Sequence, residues 1–548
     1  MSQAAMHRTL EALLGADRVH SSDAKRMHYS GDHWPRLRLR EMMGSAARAL
    51  PDHVVEVCST EEVRSVVVSC AEQGVPIVPV GGASGICGGT VPVRGGVAMD
   101  LKGLSQIHGV DPIALTVDVD SGVSGDILEG HLNALGLTLG HFPPSMDRST
   151  VGGWIATRSA GKLASLYGKI EDLVLGLEVV TGAGEVLQTG SFGTQEEIDF
   201  TPVFVGSEGT LGVVTRALLR VHRAPEARWA RGFLVDRFED GVAAMREAMH
   251  AGIRPGVLRL YDPFDTFLAR RTGFSFQHGA SASRLASFLQ VSTDEVMEGG
   301  SQSSAGERLR GMLVDTFRPL FESSRGRALY TAFANPRITN RVIGLVSGSG
   351  KSLLIAALEG GPARVAEDAD RVRRLLEKFG AEDLGDETGQ SWLDGCLHAP
   401  SSATAVFEGG AFVDTIEVSA TWGRAMEVHD EVRRVIASHA LVVTHFSHAY
   451  PEGCAIQFTF AGSSGTLAET EGLHTRVWDD ALNTVLRCGG AISHHHGIGL
   501  LKRKFLAREM GDGWELYAAV KSQLDPQGIL NPGKLLPDAP PDSGRGRS

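Results

Sequence analysis

Glycine gathers where strands should end. PIVPV at residues 76–80 reads as a short buried strand, and the nine residues that follow, GGASGICGG at 81–89, hold five glycines. A second run, GHFPPSMDRSTVGGWIATRSAG at 140–161, holds four; GSEGTLGVVT at 206–215 holds three; LDPQGILNPGKLL at 524–536 holds two more. Residues without a Cβ let successive main-chain N–H groups converge on an anion such as a pyrophosphate. Ser149, Thr150, Thr157, Ser159 and Thr210 add short hydroxyl donors. Cations are scarce in these loops, so main-chain dipoles would have to hold the phosphates. Any one such loop is satisfied by a tight turn, but four in this order are hard to read as turns alone.

The intervening segments set the fold class. HVVEVCS at 53–59 alternates as a strand does, and STEEVRSVVVSCAEQG at 59–74 opens on a Ser/Thr-x-x-Glu cap and closes on glycine, predicting a helix. VAMDL, TVDVDSG and LEVVTGAGEVLQTG predict further strands, the last a hairpin around 182–184. This alternation, to about Arg220, predicts an α+β domain. Beyond Pro225, a strand followed by a long amphipathic helix recurs at 233–252, 353–380 and 412–439, predicting a second sheet covered on one face by helices. The expected layout is a helical lead-in at 1–45, a glycine-loop domain at 46–224, a second domain at 225–470, a C-terminal segment at 471–536 and a disordered tail at 537–548. A polar Ser/Gly stretch interrupts the second domain at 293–306.

Composition excludes several functions. A chain of 548 residues is too long for one core. Its 65 acidic against 53 basic residues give a charge of −12, which argues against nucleic acid as a partner. The six cysteines form no CxxC pair and read as reduced and mostly buried. No apolar run approaches the ~20 residues of a membrane span, and the start is an amphipathic helix bearing acids rather than a signal peptide. These features predict a soluble, cytoplasmic protein. GSGKS at 348–352 would need glycine at 345 to be a phosphate-binding P-loop, and Leu345 stands there. The loop at 81–89 matches GxGxxG only loosely and lacks the acidic residue a Rossmann site needs downstream. LKRKF at 501–505 reads as a solvated basic helix face.

ISHHHGIGLLKRKF at 492–505 carries His494, His495 and His496 side by side, deep in the chain where no tag belongs. In an extended segment His494 and His496 would project to one side and His495 to the other. Imidazoles titrate near working pH and can take or give a proton. A metal site is the competing reading, drawing on His445 and His448 in THFSHAY at 444–450.

Taken together, these segments resemble the FAD-binding domain of the vanillyl-alcohol oxidase/PCMH flavoprotein superfamily. STVGGWIATRSAG, YGKIEDLV, SEGTLGVVT, LRLYD, GDETGQ and SHHHGIG are similar, in order, to its alkyldihydroxyacetonephosphate synthase branch, from about residue 50 to residue 536. SHHHG is the most specific, because related 2-hydroxyacid dehydrogenases carry an acidic residue and one histidine there. The resemblance implies a PCMH-type FAD-binding domain of two α+β subdomains. It also implies a cap domain whose antiparallel sheet is covered by helices, and a C-terminal segment that returns to the FAD domain with the histidine triplet. It puts FAD on Pro79, Val80, Gly81, Gly82, Ala83, Ser84 and Gly85. Further contacts are implied at Pro144, Ser145, Met146, Asp147, Arg148, Ser149 and Thr150, and at Gly152, Gly153, Thr157, Arg158, Ser159 and Ala160. Glu208, Gly209, Thr210, Leu211, Gly212, Val213 and Val214 complete the set. The glycine loop has no histidine and Cys87 matches no tether, so FAD is expected to be non-covalent.

The same resemblance implies an enzyme with a small-molecule substrate, no membrane segment and a homodimeric state. His494, His495 and His496 would line the flavin's reactive face, with His141, Arg259, Tyr450 and Gln457 around the substrate and no metal. Two departures from the synthase stand out. Gln457 aligns with the family's catalytic tyrosine, and Ala403 with its substrate-phosphate arginine; Arg259 does match an arginine of the family. The expected activity is therefore FAD-dependent oxidation of a small hydroxylated or activated substrate, with hydride transfer to flavin N5 and histidine as base. The alternatives are the synthase's own ether-lipid-forming exchange, with no net redox, and a metal-assisted D-2-hydroxyacid dehydrogenase.

Overall fold

A computed structural model of the chain describes residues 3–44, 49–190, 198–271, 340, 350–398, 405–406 and 410–536. The stretch at 293–306, Ala403 and the tail at 537–548 lie outside the described residues. The chain divides into two units, one of residues 1–225 with 492–548 and one of residues 226–491.

The first unit contains β1 (Val19–His20), β2 (His53–Glu56), β3 (Ile77–Val80), β4 (Val97–Asp100), β5 (Ile107–Asp111), β6 (Thr116–Asp120), β7 (Leu137–Thr138), β8 (Val174–Val180), β9 (Val186–Thr189), β10 (Val213–Arg220) and β11 (His222–Arg223). One sheet runs β1-β2-β4-β3, parallel except at β1. A second runs β5-β6-β10-β8-β9 and is antiparallel throughout, and β7 and β11 pair as a third, two-stranded antiparallel sheet. The helix Thr60–Gln73 forms as its local signals predict: Ser59 accepts from the Glu62 amide at 3.2 Å, and Gly74 ends it at φ 63°. Its Val63, Val66 and Val67 are fully buried, each contributing roughly 1.5–3 kcal/mol of transfer free energy.

The expected separate lead-in is instead part of this unit. Helix Gln3–Leu14 buries Met6, Leu10 and Leu14, an i, i+4, i+8 stripe, in the same core, and β1 extends the sheet. At the other end of the chain, Ile77 donates to the Ile529 carbonyl at 2.8 Å and Asn531 donates to the Ile77 carbonyl at 2.7 Å. Residues 529–531 therefore lie beside β3.

The second unit contains β12 (Ala227–Val235), β13 (Val257–Tyr261), β14 (Ser352–Gly360), β15 (Glu382–Asp383), β16 (Ala405–Val406), β17 (Phe412–Thr421), β18 (Leu441–Ala449) and β19 (Gly453–Gly462). They form one antiparallel sheet in the order β15-β12-β14-β13-β18-β19-β17-β16. The expected antiparallel, helix-covered sheet is present. Helices Phe238–His250 and Trp422–Ala437 meet on one face, where Phe238 stacks on His429 and both reach Phe446. Helix Pro263–Arg271 lies on the opposite face, packing Phe264 and Leu268 on Val413 and Val443.

The return to the first unit comes at Ile492, later than the expected 471. Helix Leu467–Arg487 belongs to the second unit because Trp478 and His474 donate to buried Asp414 on β17, at 2.9 and 2.8 Å. Cys58 is exposed and Cys70, Cys87, Cys454 and Cys488 are buried; none of these five is in a disulfide. Among the described residues no helix is long and apolar enough to cross a membrane.

Candidate active site

The glycine turns of the first unit meet main chain to main chain. A Cβ on Gly82 would stand 1.9 Å from the Arg148 carbonyl oxygen, and one on Gly81 2.3 Å from Thr150 Oγ1. Only glycine admits this approach. Thr150 caps helix Val151–Thr157 by accepting from the Gly153 amide at 3.3 Å. The third turn joins through Gly206 and Glu208, whose amides donate to the Ile155 and Ala156 carbonyls at 2.8 and 3.0 Å. Five described non-glycine residues have positive φ, and four of them, Ala83, Arg158, Glu208 and Asn531, sit in these turns. Strained backbone of this kind persists where the surroundings over-determine it, as at ligand sites.

Around the turns, Ser121 Oγ, Thr90 Oγ1, His141 Nδ1 and Asn531 Oδ1 are buried without a hydrogen-bond partner. Unanswered buried polar atoms cost about 1–3 kcal/mol each, so four beside one cradle fit a ligand rich in donors and acceptors. The residues present fit a dinucleotide. They also divide the expected contacts. Ser84 and Gly85 in the first turn, and Pro144, Ser145 and Met146 in the second, are half-buried, while Asp147, Arg148 and Arg158 are exposed. Ser149 is spent internally, bridging the Ser145 carbonyl and the Trp154 indole at 2.7 and 2.8 Å. Thr157 is likewise spent on the Gly153 carbonyl, at 2.9 Å. Leu211, Val213 and Val214 turn their side chains into the apolar cores, so only their main chain is available to a ligand. Asp32, unmarked in the sequence, accepts from the Gly89 and Trp34 amides at 2.9 and 3.2 Å. Burial pushes its carboxyl up to about 7 against the pull of those amides.

The carboxylate of Glu208 is not free for a cofactor. It accepts from Ile498 N at 2.5 Å and from Gly499 N at 2.9 Å, at the start of helix Gly499–Met510. Burial raises its pKa, opposed by these amides and by Lys534 and Lys502. Arg503 and Lys504 are exposed, as the expected solvated face of LKRKF requires, but Lys502 is fully buried and donates to Ser493 Oγ at 3.0 Å. The histidine run also departs from expectation. His494 and His495 approach Nδ1 to Nδ1 at 2.9 Å, and the His495 and His496 rings meet edge-on at 4.6 Å. The loop is folded, not extended, and the three rings form a contiguous set. His141 is buried against Trp154, with Nε2 3.2 Å from Ser159 Oγ. Burial and the neighbouring His495 push its pKa down to about 3, so His141 is a neutral hydrogen-bonding group rather than an acid.

Arg259, Tyr450 and Gln457 fall in the second unit. The register places Glu417, Gln457, His445 and Tyr261 in one row across β17, β19, β18 and β13. Paired residues share a face, so these polar groups stand together opposite the Phe446 and Phe458 face. Arg259, two residues from Tyr261, joins them with its guanidinium 5.3 Å from the Trp392 ring. Trp392 in turn donates to Tyr261 Oη at 2.7 Å. A bulge between Phe446 and His448 adds Ser447 to β18 and brings His448 to the face of His445. Without it, histidines three apart on a strand would point to opposite sides. Ser447 donates to Glu417 at 2.6 Å. Burial lowers the His445 pKa, opposed by Asp265, whose carboxylate is 3.7 Å away. Tyr450 lies at the end of the β18–β19 hairpin, where its amide donates to the Gly453 carbonyl at 2.8 Å.

Comparison with known proteins gives the family and the cofactor. A family model described as an FAD binding domain matches residues 51–190, and one described as FAD linked oxidases, C-terminal domain, matches residues 224–535. Alkyldihydroxyacetonephosphate synthase of Dictyostelium discoideum is 26% identical over 544 residues, covering 97% of this chain and 80% of its own. The FAD-linked oxidoreductase YgcU of Escherichia coli K12 is 26% identical over 555 residues, covering 98% and 99%. A solved structure of alkyldihydroxyacetonephosphate synthase superposes with a TM-score of 0.71 at 24% identity, covering 97% of this chain and 86% of that one, which establishes the fold. This chain belongs to the FAD-linked oxidase family, an FAD-binding domain followed by the family's C-terminal domain, and its cofactor is FAD.

Proposed function

We propose that the protein is an FAD-dependent oxidoreductase that oxidises a small hydroxylated or otherwise activated organic substrate. FAD bound on the glycine turns supplies a two-electron acceptor for a substrate C–H bond. The main chain around Gly81, Gly82, Thr150, Gly153 and Gly209 holds it, without a covalent tether. His495, flanked by its neighbours, accepts the proton of the substrate hydroxyl. His141 holds Ser159 and stays neutral; within the second unit, Gln457, His445, Tyr261 and Arg259 gather polar groups on one face of the sheet. One observation carries this reading. The loop bearing three adjoining imidazoles is hydrogen-bonded to Glu208, a residue of the same turns that form the dinucleotide cradle.

Gln457 weighs against an ether-lipid-forming exchange, because a glutamine amide cannot cycle a proton as a phenol can. The test is an anaerobic screen of hydroxy acids, sugar acids and secondary alcohols, scored by bleaching of the flavin's visible absorbance. A substrate should bleach the wild type, and His495→Ala should retain the bound-flavin spectrum and bleach only with dithionite. Turnover of an acyl-dihydroxyacetone phosphate with a fatty alcohol, with no compound bleaching the flavin, would refute the proposal.

A further inference from the structure

We infer that Glu208 is the positioning residue of the histidine run, tying the placement of His494, His495 and His496 to the cofactor turns. The inference rests on reading those imidazoles as the reactive groups. The loop that carries them is closed at both ends. Glu509 accepts from the Ile492 amide at 2.8 Å, and Ser493 Oγ donates to the Gly497 carbonyl at 3.0 Å. At the far end Glu208 takes the amides of Ile498 and Gly499.

Neither glycine flanking Ile498 has room for a side chain, Gly497 lying against Glu208 and Gly499 against Cys87. A Cβ on Gly497 would stand 2.9 Å from Glu208 Oε1, and one on Gly499 would stand 2.2 Å from the Cys87 carbonyl oxygen. Any side chain at either position would move the loop off its carboxylate.

Glu208 itself has a φ of 50°, a conformation few L-residues hold without cause. Its amide is bound to the Ala156 carbonyl at 3.0 Å and its carbonyl accepts from Asn531 at 2.7 Å. Its main chain is thus part of the cofactor cradle while its side chain holds the histidine loop. A carboxylate at a helix N-terminus also gains from the unsatisfied amides there. A glutamine of the same shape would aim an NH2 group at one of those amides.

The test uses the FAD-loaded full chain as wild type, Glu208→Gln and Glu208→Asp. Hydrogen exchange is followed at residues 492–499, together with flavin content and the visible circular dichroism of the bound flavin. Exchange at Ile498 and Gly499 should quicken about 10- to 100-fold in Glu208→Gln, the size of a lost charge-assisted hydrogen bond. The flavin dichroism should change with it, while flavin content and exchange in β2, β3 and β4 stay at wild-type values. Glu208→Asp, charged but one methylene short, should fall between the two, and it carries the test alone if the glutamine variant does not fold. Unchanged exchange at 498–499 overturns the inference, as does uniform quickening across the unit, which would mark a merely structural carboxylate. Local quickening with unchanged dichroism overturns it as well. None of these readouts uses a substrate, so failure of the bleaching screen would sink the proposed reaction without touching this result.

Discussion

His141 allows a quantitative test of how the site is buried. The side chain has no exposed surface, packs 4.8 Å from the Trp154 ring and has a pKa pushed down to about 3. In the unfolded chain the same imidazole titrates at ~6.5. A depressed folded value means that the group's stabilising contribution is fully present above ~6.5 and is lost as pH falls from there toward the folded value. Between about pH 7.5 and about pH 5 the unfolded state takes up nearly one proton more at this site, a loss of roughly 2 kcal/mol. His141→Phe keeps an aromatic ring, one ring atom larger, and removes the titration. Chemical unfolding of the full chain at the two pH values should give a smaller pH dependence in the variant than in the wild type, by about that amount. His141→Gln should show the same reduction while keeping a partner for Ser159. Equal pH dependence in all three proteins would refute the burial argument and return His141 to the list of candidate acids.

Two other substitutions probe the units separately. Gly82→Ala places a methyl 1.9 Å from a carbonyl oxygen that cannot move freely; it should cost roughly 1–3 kcal/mol of stability and leave protein that emerges colourless from gel filtration, and wild-type flavin content would refute the cradle geometry. Asp414→Asn puts an amide NH2 among the donors His474, Trp478 and the Thr415 amide; it should lower stability by about 3 kcal/mol or more with FAD still bound, and an unchanged unfolding midpoint would show that the buried carboxylate does not anchor helix Leu467–Arg487.

How much of this was legible depended on the range of the interaction. Helix Thr60–Gln73 carries its cap, its stop and its apolar stripe in its own sequence, so it was readable in full. The glycine turns were readable because missing side chains constrain the backbone locally, and the order of motifs pointed to the family now confirmed. The ownership of helix Leu467–Arg487 was not readable, since it is settled by Asp414, more than fifty residues away in the chain. Nor was the β18 bulge, which leaves no mark in the spacing of His445 and His448 yet decides which way His448 faces. Lys502 looked solvated because a basic cluster usually is. Inside the fold it donates to Ser493 Oγ and feels the charges of Glu208, nearly three hundred residues upstream, and of Glu509. Glu208 stands among the expected cofactor contacts, and nothing in its own segment shows that its carboxylate takes the amides of Ile498 and Gly499.

The pairing of residues 529–531 with β3 has a bearing on biosynthesis. A ribosome making this polypeptide releases the amino-terminal segments of the cradle long before the strip that flanks Ile77 and the asparagine that reaches Gly89 and Glu208. Until residues 529–531 have been made, the nascent fold has an unguarded strand margin and an unfinished nucleotide bed. A product truncated shortly before residue 529 would lack both the strip beside Ile77 and the Asn531 bonds to the Gly89 and Glu208 carbonyls that tie the turns together.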